Sequence, residues 1–270
     1  QKLYRQDLPG AFCPEEKDLN GFRELIGNRC SCERLMISEQ DLLRTKNFYY
    51  ACISFVDYQI GRIIQTLKKR NLYDNTIIVF TSDHGDMMGD YQAIGKRSMV
   101  DPSCHVPLII HCAGKGNQER KDVCSLVDIA PTLLKCAGVP YCDNDYDGID
   151  LLGEDKHEYV FSQLGCGQDG IYMITNGTEK LIYRAENDRY YFFETIPEEV
   201  DTYDPTNRKV QKMQGLLTTY MKTETNKSLH SKTYEPVTKT HPHYPGRMDQ
   251  AMFHEKEVAA IPRGYTIDLE

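Results

Sequence analysis

A strand and the polar turn that ends it lie in the stretch Thr76-Ile77-Ile78-Val79-Phe80-Thr81-Ser82-Asp83-His84-Gly85-Asp86. Its unbroken run of apolar and β-branched residues is typical of a strand buried on both faces, as in parallel sheets. In open α/β sheets, ligands bind beyond the carboxyl ends of such strands. Asp83 and His84 stand at that position, and both side chains can bind a metal. The alternative interpretation is a strand followed by an ordinary polar turn.

A glycine-bearing loop joins this strand to a second apolar run. The loop contains Gly95-Lys96, and Val106-Pro107-Leu108-Ile109-Ile110 follows it. This order resembles the sulfatase family of the alkaline-phosphatase superfamily, in which Ser-Asp-His/Asn-Gly, Gly-Lys and Val-Pro-Leu-Ile-Ile recur. Residues 49–62 and residues 125–134 are similar to further blocks of the family. The resemblance covers residues 48–150 well and the rest of the chain loosely.

The resemblance implies an α/β fold with a partial alkaline-phosphatase-like core. Its strands are expected to be buried, mostly parallel and flanked by helices, and a small antiparallel carboxyl-terminal sheet should follow. The implied activity is hydrolysis of sulfuric esters, as in an arylsulfatase, with a small-molecule or glycan sulfate ester as the substrate.

The resemblance also implies roles for three residues. Asp83 corresponds to a metal ligand, His84 ligates the metal or contacts the nucleophile, and Lys96 reaches the sulfate and the bridging oxygen. The implied metal is a divalent cation, Ca²⁺. Lys96 and His84 are therefore the candidate catalytic residues, and Asp83 and His84 are the candidate metal ligands. A solvated surface cation is the structural alternative for Lys96.

Two features of the family are missing from the sequence. No Cys/Ser-x-Pro/Ala-x-Arg stretch, which the family matures to a formylglycine nucleophile, occurs in the chain, and no Asp-Asp pair occurs. We therefore expect a carboxyl-terminal portion of a sulfatase, with the formylglycine in an absent amino-terminal part and no turnover by this chain alone. The alternatives are a phosphate- or phosphonate-ester hydrolase of the same superfamily and a non-catalytic remnant that acts as a binding protein.

Two loop segments also depart from the family pattern. Gly89-Asp90-Tyr91 stands where Gly-Glu-His is frequent, and His105-Val106-Pro107 stands where Arg-Val-Pro is frequent. These differences suggest a divergent substrate pocket.

Composition limits the possible partners and the compartment. The chain has 270 residues and a net charge of −8, which argues against nucleic acid as a partner. No apolar stretch is long enough to span a membrane. Ten cysteines, several of them in apolar runs, favour a reducing, cytoplasmic environment over a disulfide scaffold. The oligomeric state is left open.

Three parts are expected along the chain. Residues 1–150 form the carboxyl-side part of the sulfatase core, 151–225 a small antiparallel sheet with a helix, and 226–270 a polar tail. Strands are predicted over residues 159–162, 171–174, 180–184 and 190–193. Helices are predicted over residues 15–26, from Ser38 to about residue 70 with a break at 45–47, over 128–136, and over 210–220.

Other residues could be mistaken for functional ones. Asp57 on the long helix is interpreted as a solvated carboxylate. The alternating acids in residues 143–150 lack the glutamate and the flanking helices of an EF-hand. His241 and His243 in the tail are interpreted as a solvated pair rather than a metal site.

Overall fold

The computed structural model describes residues 22, 24–26, 35–142, 145–165 and 170–223. The helices with both ends described are α1 (Glu39–Lys69), α2 (Asp101–Cys104), α3 (Ile129–Cys136) and α4 (Arg208–Thr223), and residues 22 and 24–26 are also helical. The strands are β1 (Ile78–Thr81), β2 (Leu108–His111), β3 (Val160–Leu164), β4 (Ile171–Thr175), β5 (Lys180–Arg184) and β6 (Arg189–Phe193). The predicted α/β architecture with a small carboxyl-terminal sheet is confirmed.

The strands β1 and β2 form a two-stranded ribbon that differs from the expected pairing. They run antiparallel, with Thr81 opposite Leu108 and Ile78 opposite His111. Parallel neighbours need a crossover of a dozen or more residues, usually a helix. Between β1 and β2 the longest helix is the one-turn α2, so the chain folds back on itself and the strands meet antiparallel.

One face of this ribbon is exposed, although burial on both faces was expected. Phe80 lies opposite Ile109 in the register, so both side chains project from the same face. They are 36% and 62% exposed. The apolar run therefore indicated a strand correctly, but no described element covers this face.

The strands β3 to β6 form an antiparallel meander in the order β3-β4-β5-β6. All four predicted strands are confirmed, each within two residues of its expected ends. The Asn176-Gly177 pair between β4 and β5 is typical of a tight hairpin. Gly177 has a φ of +90°, which glycine adopts without strain. The central strand β4 is buried at all five positions.

The meander is covered on both faces. On one face, Ile174, Leu181 and Phe192 pack with Val210 and other apolar residues of α4. On the other face, β4, β5 and β6 pack against the loop between β1 and β2, through residues such as Met87, Tyr91 and Val100, and against Phe22, Leu25 and Ile26. The loop that follows β1 is therefore part of the core of the second sheet.

The long helix α1 is continuous, so the predicted break at residues 45–47 is wrong. Thr45 donates its hydroxyl to the Asp41 carbonyl at 2.8 Å, which accommodates this polar residue inside the helix. No glycine or proline occurs before Gly61, and the predicted cap is present, with Ser38 accepting from the Asp41 amide. No residue of α1 is buried.

The helix α3 begins next to a buried acid. Asp128 is fully buried and accepts from the backbone amides of Ser125 at 2.7 Å and Ile149 at 2.9 Å. His157 Nε2 lies 2.8 Å from the same carboxylate. Asp128 thus anchors two later segments to the start of α3, which explains why a charged residue is tolerated there.

Some predictions lie outside the described residues. They include His241, His243, Asp143, most of the expected helix at 15–26 and the tail at 226–270. Among the described helices, none combines the length and the apolar character needed to cross a membrane. Six described cysteines are free, and the cytoplasmic environment stays a prediction. The division of the chain at residues 150 and 225 also stays a prediction.

Candidate functional site

The three predicted site residues meet at the end of β1. Asp83 and His84 follow the strand directly, and Lys96 comes from the loop twelve residues later. The Lys96 ammonium contacts His84 Nε2, and Asp83 Oδ2 lies 3.4 Å from the same nitrogen. Asp83 is 83% exposed and the His84 side chain is 38% exposed, so the cluster faces solvent.

The hydrogen bonds of His84 assign its tautomer. Its Nδ1 lies 2.9 Å from the Gly85 carbonyl oxygen, which can only accept a hydrogen bond. The neutral ring therefore carries its proton on Nδ1, and the lone pair of Nε2 points toward Lys96 and Asp83. A metal-ligating histidine commonly donates its other ring N–H to a backbone carbonyl in this way.

Hydrogen bonds of the Asp86 carboxylate and of the loop backbone hold Lys96 near His84. Asp86 Oδ1 accepts from the amides of Gly95 at 3.0 Å and Met88 at 3.3 Å. The Met87 amide donates to the Gly95 carbonyl at 2.8 Å. Gly95 has a φ of +82° at this point, so the chain can turn into Lys96 without the strain another residue would carry.

Gly85 lies against the segment that leads into β2. Its amide donates to the Ser103 carbonyl at 2.8 Å. A Cβ atom at Gly85 would come within 2.1 Å of the Pro102 carbonyl oxygen. Only glycine fits this approach, which places the Asp83-His84 turn directly beside α2.

Electrostatics keep Asp83 ionised. Slight desolvation acts to raise its pKa, but the nearby His84 ring, the amides of Asp83 and His84, and the charge of Lys96 together lower the pKa below the usual value. The carboxylate is therefore an open, anionic oxygen donor at neutral pH.

A buried ionic cluster, for which the sequence gives no local signal, holds the loop after β1 against the second sheet. We call Lys180, Glu198, Asp101 and Tyr91 the buried cluster. Lys180 is 1% exposed and contacts Glu198, which is fully buried, and Asp101 Oδ1 at 2.7 Å. The Tyr91 hydroxyl donates to Glu198 Oε2 at 2.8 Å, and the Asp101 amide donates to the same oxygen at 3.0 Å.

Titration in the buried cluster follows these contacts. Burial acts to lower the pKa of Lys180, but the surrounding Cys104, Glu198 and Asp101 outweigh it, so the pKa is raised and the ammonium stays charged. Burial, followed by the charge of Glu198, raises the pKa of Tyr91. Tyr91 thus points into the core of the protein, so this departure from the family pattern does not shape an open pocket.

The sequence carried only a weak signal for this cluster. Lys180 begins an apolar strand, where a charged residue is rarely buried without a partner. Its partners lie 18 and 79 positions away, so no local spacing connects them.

A second histidine lies at the same end of the ribbon. His105 Nδ1 is 2.8 Å from Asp101 Oδ2, and the His105 side chain is 75% exposed. The hydrogen bond from Asp101 raises the pKa of His105, against partial desolvation, which acts in the opposite direction.

The donors at Asp83 and His84 fit part of a divalent-cation shell. The open Asp83 carboxylate and the His84 Nε2 lone pair lie side by side, and a metal at Nε2 would take the place of the Lys96 ammonium. Among the described residues, no group of three or more His, Cys, Asp or Glu side chains is placed to hold a metal. Calcium usually takes six to eight oxygen ligands, so this pair is an incomplete site.

Known proteins resemble the chain in sequence and in fold. The model of the family described as Sulfatase matches residues 4–139. An arylsulfatase of Clostridium perfringens is 32% identical over 212 residues, which cover 72% of this chain and 43% of the relative. The chain thus spans less than half the length of this curated relative.

Solved structures share the fold. A phosphonate monoester hydrolase of Silicibacter pomeroyi is 22% identical with a TM-score of 0.63, and the match covers 81% of this chain and 50% of that protein. A protein solved in complex with its substrate D-glucosamine-2-N,6-O-disulfate is 24% identical with a TM-score of 0.57, over 82% of this chain and 46% of that protein.

Proposed function

Because the chain belongs to the sulfatase family, we propose that it supplies part of the active site of a sulfuric-ester hydrolase of the arylsulfatase type. Asp83 and His84 are the proposed ligands of a divalent cation, and Lys96 is the proposed sulfate-binding cation. The observation that supports this proposal is the contact of Lys96 with His84 Nε2 beside Asp83, across twelve residues of loop.

Each side chain has a distinct task in this proposal. The cation, proposed to be Ca²⁺, would supply Lewis-acid stabilisation of a sulfate oxygen when bound. Asp83 offers it a hard oxygen donor, and His84 offers the Nε2 lone pair that its Nδ1–H bond to Gly85 leaves free. Lys96 donates hydrogen bonds to the sulfate and stabilises negative charge on the bridging oxygen as the ester breaks.

The nucleophile is the part of this chemistry that the 270 residues do not encode. No Cys/Ser-x-Pro/Ala-x-Arg stretch is present in the sequence. We propose that a formylglycine from another part of the family's fold completes the site, and that sulfate esters, of small molecules or glycans, are the substrates.

Calcium titration of the chain by calorimetry tests the ligand assignment. We expect weak binding, because two side chains fill only part of the shell, and loss of that binding in Asp83→Ala. Lys96→Ala should bind calcium at least as tightly, because no ammonium then occupies the position at His84 Nε2, and should lose the affinity for inorganic sulfate. Asp57→Ala, which removes an exposed carboxylate from α1, serves as the control. Calcium binding that survives Asp83→Ala would place the metal elsewhere.

A further inference from the structure

His105 is an oriented imidazole rather than a freely rotating surface side chain. Asp101 begins the one-turn helix α2 and His105 follows its last residue, with the His105 amide donating to the Asp101 carbonyl at 2.8 Å. His105 Nδ1 is engaged by Asp101 Oδ2 at 2.8 Å, so its Nε2 edge points away from the carboxylate. The side chain is 75% exposed, which leaves that edge open to a ligand.

Asp101 is itself held in place by buried side chains. Its second oxygen, Oδ1, accepts from the buried Lys180 at 2.7 Å, and its amide donates to Glu198 at 3.0 Å. An exposed ion pair usually contributes little, because two mobile side chains must be ordered. Here one partner is already immobilised by the buried cluster, so the orientation of His105 is preset.

His105 also lies on the segment that runs alongside the Asp83-His84 turn. The ribbon pairs Thr81 with Leu108, and the Gly85 amide bonds to the Ser103 carbonyl. Residues 82–84 on one segment and residues 104–107 on the other therefore lie between the same two backbone contacts. His105 and the Asp83-His84 turn emerge at one end of the ribbon, on neighbouring segments.

The surroundings favour the charged form of His105. Its hydrogen bond to Asp101 raises its pKa, desolvation and Lys180 act to lower it, and the charges of Asp101 and Glu198 raise it further. The pKa of Asp101 is lowered despite desolvation, chiefly by its hydrogen bond to His105 and the charge of Lys180. At mildly acidic pH, this end of the ribbon therefore carries two cations, Lys96 beside His84 and His105 beside Asp101.

We propose that His105 binds an anionic group of the substrate other than the sulfate held by Lys96, and that Asp101 is its positioning residue. This inference rests on the proposed function and narrows it. The preferred substrates are sulfate esters whose alcohol part carries a second negative charge, such as a doubly sulfated sugar. A chain with a net charge of −8 does not attract such a dianion at long range, so paired local cations are required.

A matched pair of sugars tests the proposal. The first is D-glucosamine-2-N,6-O-disulfate and the second is N-acetyl-D-glucosamine 6-O-sulfate, which lacks the second sulfate. Both are titrated into the whole chain at pH 6.0, with binding followed by the ¹⁵N resonances of the histidine rings. The disulfate should bind about three- to tenfold more tightly and should shift the His105 ring, as a charge-assisted hydrogen bond does.

Three variants separate recognition from general effects of charge. His105→Gln should abolish the preference for the disulfate, so that the two sugars bind with equal affinity. Asp101→Asn should lower the pH at which the preference disappears, because the imidazolium loses its carboxylate partner. Arg208→Gln, which removes an exposed cation from α4 on the far face of the sheet, should change neither affinity.

The outcomes distinguish this inference from the function on which it rests. Equal affinity for the two sugars, with both lost in Lys96→Ala, would overturn the role of His105 while the proposed sulfate site stands. A preference for the disulfate that persists in His105→Gln would overturn it as well. Binding of neither sugar would overturn the proposed sulfate site and this inference together.

Discussion

The two sheets of the molecule differ in how they are covered. The meander β3–β6 is packed on one face by α4 and on the other by the loop after β1. The ribbon β1–β2 exposes Phe80 and Ile109 on one face, and the helix α1, which precedes it in the chain, has no buried residue. We call residues 82–107, which join β1 to β2 and carry Asp83, His84 and Lys96, the site loop. It leaves and re-enters the exposed ribbon at one end, yet its apolar side chains pack in the core of the meander. The position of Lys96 is therefore fixed by the meander as much as by β1, the strand that leads into the Asp83-His84 turn.

The largest expected effect comes from breaking the buried cluster. Lys180→Met leaves Glu198 charged and without its cation inside the protein, so unfolding free energy should fall by about 3–5 kcal/mol. Urea unfolding followed by circular dichroism measures the loss. Lys209→Met, which breaks the exposed pair with Glu179 on the far side of the sheet, is the control and should leave the midpoint nearly unchanged.

A double variant sharpens this first prediction. Lys180→Met combined with Glu198→Gln removes both charges, so it should be more stable than Lys180→Met alone. If Lys180→Met has no larger effect than Lys209→Met, the meander does not hold the site loop through these charges.

The second prediction compares matched apolar truncations in the two sheets. Leu181→Ala in β5 opens a cavity between the meander and α4, and should cost about 2–5 kcal/mol. Ile109→Ala in β2 removes a side chain that is 62% exposed, and should change stability by under about 0.5 kcal/mol. Equal losses in urea unfolding would show that the ribbon is covered in solution.

The third prediction concerns the contact between the two ends of the loop. Gly85→Ala forces a methyl group to within 2.1 Å of the Pro102 carbonyl oxygen, so about 1–3 kcal/mol should be lost. Gly61→Ala in α1 meets nothing within 4 Å and should stabilise the protein by about 0.5–1 kcal/mol. Thermal unfolding that ranks the two variants in the reverse order would contradict the close packing at Gly85.

The smallest expected effect is a pH dependence at His105. Because its folded pKa is raised, its pairing with Asp101 stabilises fully below the unfolded value of about 6.5 and is lost as pH rises through the folded pKa. The stability difference between wild type and His105→Gln should therefore be present at pH 5.5 and vanish at pH 8.5, in urea titrations at both values. A stability difference between wild type and His105→Gln that grows with pH would contradict a raised pKa of His105.

Local patterns explain what the sequence could predict. Apolar runs and the Asn176-Gly177 turn located the four strands of the meander, and Ser38 located the start of α1. Adjacent Asp83 and His84 after a strand were visible as candidates, whereas their meeting with Lys96 followed from the resemblance. These features depend on neighbours along the chain, where periodicity and capping act.

Local sequence patterns could not predict contacts between residues that are far apart in the chain. The direction of β2 depends on the path of a 26-residue connection, which no periodicity reveals. The exposure of Phe80 depends on whether another element packs on that face of the ribbon. The apolar character of the residue does not reveal this. The pairing of Lys180 with Asp101 joins positions 79 residues apart, so only the folded chain shows it.

The most direct test of the site at Asp83, His84 and Lys96 follows the ring nitrogens of His84 by ¹⁵N NMR during calcium titration. We expect the Nε2 resonance to move more than that of Nδ1, because Nδ1–H remains bonded to the Gly85 carbonyl while the cation replaces the Lys96 contact. Saturation of the chain with calcium that leaves both His84 resonances unchanged would contradict the assignment of this site.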